Sequence, residues 1–155
     1  MNPTVKLLTL LAFAIILTFS FCKKSETPPT PDTRTKTELI QLSAWKISAM
    51  VCDSSVDLDG KNGSSKDMLS QRLPCQNDDS YKFNADSTTT EIANLKCGNE
   101  KSPYKGSWIF TNSEKNLLWN GGTYPITEIT ATKMVLRYTL IASGIVYGIT
   151  ITLIH

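Results

Sequence analysis

From Trp45 to the last residue, apolar and polar positions alternate in short runs separated by turn-forming residues. In Trp45-Lys46-Ile47-Ser48-Ala49-Met50-Val51-Cys52, the side chains of Trp45, Ile47, Ala49 and Val51 share one face, the pattern of a half-buried strand. Strict alternation places Cys52 on the opposite face with Lys46, Ser48 and Met50, pointing away from the interior. Ahead of this strand, TELIQL (37–42) predicts one short helical turn. Behind it, residues 53–79 are polar, and KDMLSQRL (66–73) predicts a short helix.

From Ser80 the rhythm is that of hairpins. SYKF, TTTEIA, YKGSWIF, NLLW, TYPITEI, MVLRYTLI and IVYGITITLI are predicted strands. The turns between them are Asn84-Ala85-Asp86-Ser87, a loop at 94–103, Asn112-Ser113-Glu114-Lys115, Asn120-Gly121-Gly122, Ala131-Thr132 and Ser143-Gly144. The two glycines after Asn120 supply the positive φ of a tight hairpin. Pro125 cannot donate to a ladder, so it predicts an edge or bulge. About eight short strands joined by tight turns specify an all-β, antiparallel up-and-down meander that closes into a small barrel. Such an interior is filled by side chains or holds one small ligand. These strands are too few for a membrane pore.

The N-terminal part reads differently. Lys6 precedes an apolar run of about 15 residues, too short for a comfortable transmembrane span and fitting a secretory signal. The run ends at Phe19-Ser20-Phe21-Cys22. This resembles the bacterial lipoprotein cleavage site, in which the cysteine becomes the lipidated first residue; Phe19 and Phe21 stand where that pattern holds Leu and a small residue. KKSETPPTPDTRTK follows, polar and without apolar period, which predicts an extended, disordered tether. At ~3.1 Å per residue it reaches up to about 40 Å. The organisation expected is a signal peptide at 1–21, a lipidated Cys22 and Pro-rich tether at 22–36, and a barrel domain at 37–155. The chain is expected to be exported and anchored in the bacterial envelope, at the outer membrane facing the periplasm.

The chain has 155 residues and a formal net charge of +2, and no Lys/Arg run forms a nucleic-acid stripe. No nucleic-acid partner is expected, and a monomer is the expected state. Export permits disulfides. With Cys22 lipidated, Cys52, Cys75 and Cys97 remain, one pair and one thiol being the simplest outcome. There is no CxxC, and the single histidine is His155, which argues against zinc.

The first strand, LSAWKI, together with CQNDDSYKFNADST, the following KC, GSWIF and TYPITEITATKMVLRYT, resembles the lipocalin-like domain of bacterial envelope lipoproteins. The resemblance runs over residues 42–153. It rests on Trp45 opening the first strand, on Cys75, Asp79, Tyr81 and Phe83 around the next hairpin, and on Cys97 after it. Ala44 stands where the family usually has Gly. The resemblance implies the fold more securely than any ligand.

A bridge between Cys75 and Cys97 is expected, because the two lie about equally far from the turn at Ala85-Asp86. The loop of about 23 residues corresponds to ~3 kcal/mol in the chain-entropy estimate. The rival arrangements are Cys52 with Cys75, or a second bridge using an unlipidated Cys22.

No Ser-His-Asp arrangement, carboxylate pair or phosphate-cradling glycine loop is present, so no enzyme activity and no cofactor are expected. Asp57, Asp59, Asn62 and Asp67 form a weak calcium string in a Gly-containing stretch. Lys61 and Met68 occupy places where oxygen ligands are wanted, and the ordinary alternative is a solvated turn. Trp45 and Trp108 are expected in the core, and Trp119, beside the glycine turn, at a cavity mouth. Gly106, Ala142, Gly144 and Gly148 would leave interior space. Two function classes remain. One is a barrel binding a small apolar ligand near the membrane, and the other a packed barrel acting through its outer surface.

Overall fold

Alternating runs with one apolar face can satisfy their backbone groups only by pairing side by side, and here the pairing returns on itself. A computed structural model describes residues 32–57, 63–98, 102–142 and 144–155. The leader, Cys22, the tether up to Pro31, and Asp59 and Asn62 lie outside the described residues. The strands are β1 (Trp45–Val56), β2 (Ser65–Asp67), β3 (Ser80–Phe83), β4 (Thr88–Ile92), β5 (Tyr104–Thr111), β6 (Asn116–Trp119), β7 (Gly122–Ile129), β8 (Lys133–Ala142) and β9 (Ile145–Ile154). Two short helices, α1 (Lys36–Gln41) and α2 (Pro74–Asn77), accompany them.

Strands β3 to β9 follow one another as an antiparallel meander, and β1 pairs with both β3 and β9. The result is a closed eight-stranded barrel, the fold class read from the alternation. The ninth strand is the short β2, which lies against the far half of β1 through Val51↔Asp67 and Val56↔Ser65.

The first strand carries the main departure from strict alternation. Its register against β9 shifts between Ile47 and Ala49, so that Ser48 is the extra residue of a β-bulge. A one-residue slip exchanges the two faces of everything beyond it. Trp45 and Ile47 face inward before the bulge, and Met50 and Cys52 after it. Val51 is therefore 46% exposed and Cys52 only 1%, the reverse of the outward Cys52 expected from alternation.

The predicted helix at 66–73 is absent. Met68 N–H donates to Met50 O (2.9 Å), which draws this segment against β1 and buries the Met68 side chain. Asp67 Oδ1 then accepts the amides of Leu69 and Ser70, turning the chain where a helix would have continued. The bulge expected near Pro125 falls between Ile126 and Glu128, where β7 shifts register against β8.

Helix α1 closes one end of the barrel. Thr35 caps it by accepting from Glu38 N–H, while Glu38 accepts in return from Thr35 N–H. Its buried face carries Leu39 and Ile40, and Ile40 O accepts the Trp45 indole N–H at 2.8 Å. Lys82 Nζ donates to Gln41 O and Lys36 Nζ to Glu114 O. Above α1 the core is Trp45, Phe83, Trp108, Leu117, Met134, Leu136 and Leu153. Phe83 meets the ring of Trp108 edge-on at 5.7 Å and that of Trp119 at 5.3 Å, geometry that ring quadrupoles favour.

Phe83→Ala removes a fully buried ring from this cluster and is expected to cost about 3–5 kcal/mol in urea unfolding. The inward Cys52 thiol is expected to be inert to a thiol reagent in the native protein and to react once urea unfolds it. Fast reaction of the native thiol would contradict the bulged register.

Candidate functional site, the barrel mouth beside Trp119

At the end opposite α1, the interior is incompletely filled. A cavity of about 260 Å³ is lined by Ile47, Met50, Tyr81, Trp119, Tyr124 and Ile151, with Arg72, Glu91 and Asn120 as its polar members. The local order of the chain explains this set. The bulge turns Met50 inward beside Ile47. The tight hairpin Asn120-Gly121, with φ of 50° and 82°, ends β6 directly after Trp119. Arg72 arrives from the turn between β2 and α2.

The aromatic walls are ordered by ring contacts. Trp119 meets Tyr81 edge-on at 4.9 Å and Tyr124 at 5.8 Å, and Tyr124 stacks on Tyr138 at 5.5 Å. All three tryptophans are buried. The Trp45 indole donates to Ile40 O and the Trp108 indole to Asn84 O. The Trp119 indole N–H is buried and has no acceptor. An unmatched buried donor is costly and uncommon, and here it belongs to the tryptophan on the cavity wall.

The glycines expected to open the interior do something else. A Cβ on Gly106 would stand 1.8 Å from Asn120 Oδ1. The bare glycine lets this oxygen accept from Ser107 N–H and Thr89 Oγ1, which fixes Asn120 at the cavity rim. Gly148 likewise gives room to Asp53, whose Oδ2 accepts the Gly148 amide. Gly144 sits at φ +78° in the β8–β9 turn. Space therefore comes from the arrangement of large side chains at the mouth.

The mouth is held on its polar side by a covalent link. Cys75 in α2 and Cys97 in the loop after β4 are bridged, with Cα atoms 5.5 Å apart, inside the usual range. Cys52 is the free thiol among the described residues. Asn94 Nδ2 donates to Asp78 O across the same two segments. Outside the bridge lies a second, more polar cleft of about 470 Å³, lined by Arg72, Gln76, Asp79, Glu91, Ala93, Ser102 and Tyr104. Arg72 and Glu91 border both spaces and stand between them.

Burial pushes the Tyr81 hydroxyl up to about 12, reinforced by the negative charges of Glu91 and Asp79 and partly offset by Arg72, which donates to it. Tyr124 is also raised, by burial first and then by Tyr138. Both phenols therefore enter the cavity region neutral near pH 7, as donors and acceptors rather than as charges.

Of the calcium string, Asp57 and Asp67 fall within the described residues. Asp67 Oδ1 is engaged by two backbone amides, and no group of three or more potential metal-ligating His, Cys, Asp or Glu residues is present there. Asp57 is exposed. His155 lies against the Trp45 ring, centroids 3.8 Å apart, at the α1 end. Of the expected site residues, Trp119 lines the cavity. Arg72, Glu91, Asn120 and Tyr124 were not singled out by sequence reasoning. Arg72 lies in a stretch with no apolar period, so no sequence signal marked it.

The family model for the lipocalin-like domain matches residues 44–136, from the residue before Trp45 to Leu136 in β8. No curated protein matches the chain significantly.

Tyr81 supplies a pH test. Its folded value of about 12 lies above the ordinary 10.0. The stability linked to a raised group is complete below the unfolded value and is lost as pH rises through the folded one. Unfolding free energy is therefore expected to fall between about pH 10 and about pH 12, and Tyr81→Phe is expected to flatten that fall. An unchanged alkaline profile in the variant would place the titration elsewhere.

Proposed function

This chain belongs to the lipocalin-like domain family, and from that premise we propose that it is a membrane-anchored envelope lipoprotein whose barrel binds a small, largely apolar ligand at the Trp119 cavity. The observation that carries the reading is the buried Trp119 indole N–H, without an acceptor, on the wall of an aromatic cavity. A ligand fitting this wall is flat or aliphatic over most of its surface and carries one hydrogen-bond acceptor, such as a carbonyl or ether oxygen. Arg72 and Glu91 flank the entrance with opposite charges, which favours a ligand without strong net charge. The role is binding rather than catalysis.

Anchoring rests on the leader, on Cys22 at the end of its apolar run, and on the polar Pro-rich segment behind it. Together these support the reading of an exported protein held through Cys22 at the outer membrane, on its periplasmic side. The competing reading, a solid barrel acting through its outer surface, draws on the well-filled half next to α1. The two differ in whether the mouth accepts a guest.

A fluorescent hydrophobic probe, competed by an envelope lipid extract, separates them. The probe is expected to bind the wild type and to change the emission of Trp119. Trp119→Ala is expected to weaken binding roughly tenfold, equivalent to ~1.4 kcal/mol. Trp119→Phe keeps a ring but removes the donor, and is expected to lose about 1 kcal/mol with acceptor-bearing competitors only. Equal probe binding by wild type and Trp119→Ala would move the site elsewhere. Anchoring is tested separately: Cys22→Ala is expected to shift the protein from the membrane fraction to the soluble one. A wild type already soluble, with Cys22 unmodified, would refute it.

A further inference from the structure

The longest hairpin of the barrel projects its tip away from α1. Strand β9 begins at the tip and ends beside Lys46, next to the α1 end. At the tip, Ile141 pairs with Val146 and Ala142 with Ile145. Ile141 and Val146 continue the outward face of Arg137 and Thr139, and they are 69% and 64% exposed. Ile145 continues the inward line of Ile149 and Tyr147 but stands beyond the packed core, 55% exposed. The tip therefore shows large apolar side chains on both faces, and residues 139–148 hold no charged side chain.

Apolar on both faces and without charge, the hairpin suits the interfacial region of a bilayer, where its side chains meet acyl chains while headgroups and water reach the backbone groups on its outer edges. We propose that the β8–β9 tip is a membrane-docking element: Ile141, Ile145 and Val146 enter the interfacial region of the bilayer that holds the Cys22 anchor. The inference rests on the anchoring reading for the bilayer's proximity.

The reach of the chain supports that occupant. Strand β9 has 10 residues, at most ~33 Å of strand, and the segment after Cys22 reaches about 40 Å, so an anchor can serve a bilayer at the tip. The consequence is functional. On the inward face, Leu140 and Tyr138 lead from the tip back to Tyr124 and the Trp119 cavity, all packed against the core. A docked tip puts the barrel mouth at the lipid surface, from which an apolar ligand enters without crossing water.

The test uses the full lipidated chain in dilute vesicles of phosphatidylethanolamine and phosphatidylglycerol. A pyrene thiol label is placed at Val146→Cys at the tip or at Lys115→Cys in the β5–β6 turn, with Cys52 buried and Cys22 occupied. Immersed about 5–10 Å, the tip label is expected to be quenched by aqueous iodide roughly half as efficiently as the turn label, or less. Mass analysis of the N-terminal peptide reads the anchor independently. A Cys22 without lipid removes the bilayer and overturns anchor and docking together. A lipidated chain with both labels equally quenched overturns the docking alone. Excimer emission from the tip label would place a second copy there and would also overturn it.

Discussion

Closure through β1 is the constraint on which the other features depend. One strand must pair with β9 from Lys46 to Cys52 and with β3 at its start while keeping an apolar face inward. An unbroken alternation would carry Val51 inward and Cys52 outward. The extra residue at Ser48 changes the phase, so Trp45 and Ile47 face inward before it and Met50 and Cys52 after it. The same shift strengthens local twist, and on the opposite edge, beyond the short pairing with β3, β1 pairs with β2. That pairing brings Met68, and after it Arg72, to the mouth.

The barrel is thus unequal at its two ends. Near α1 the Trp45 indole donates to Ile40 O, and the amino groups of Lys82 and Lys36 donate to carbonyls. Near the mouth, aromatic rings surround a space, the Trp119 donor is unmatched, and the rim is fixed by Asn120 and by the Cys75–Cys97 bridge. A rigid rim around an under-filled, ring-lined space is the general form of a preorganised small-molecule site. The apolar β8–β9 tip lies at this end as well.

Much of the barrel was legible because period-two alternation and turn residues report the same thing from Ser80 onward. SYKF, NLLW and IVYGITITLI became strands at those residues, and the Cys75–Cys97 pairing followed from a hairpin between them. The bulge was not legible, since alternation assumes a constant phase and Ser48 looks like any outward residue. Strand β2 was missed because three residues show no period, and Asp67, read as a helix residue, accepts two turn amides on Oδ1. Trp119 could be placed near the mouth from the adjacent Asn-Gly-Gly. Arg72 and Glu91 could not, because their meeting depends on long-range closure. The small residues Gly106 and Gly148 suggested empty space, yet they accommodate Asn120 and Asp53.

Native mass spectrometry of the protein purified from its own host addresses the cavity claim directly. The account expects a non-covalent apolar molecule on the wild-type chain that leaves on denaturation. It expects the Trp119→Ala variant, purified in parallel and equally folded by circular dichroism, to carry clearly less of it. A wild-type chain that emerges bare, or a variant loaded as fully as the wild type, would contradict the assignment of the Trp119 cavity as a ligand site.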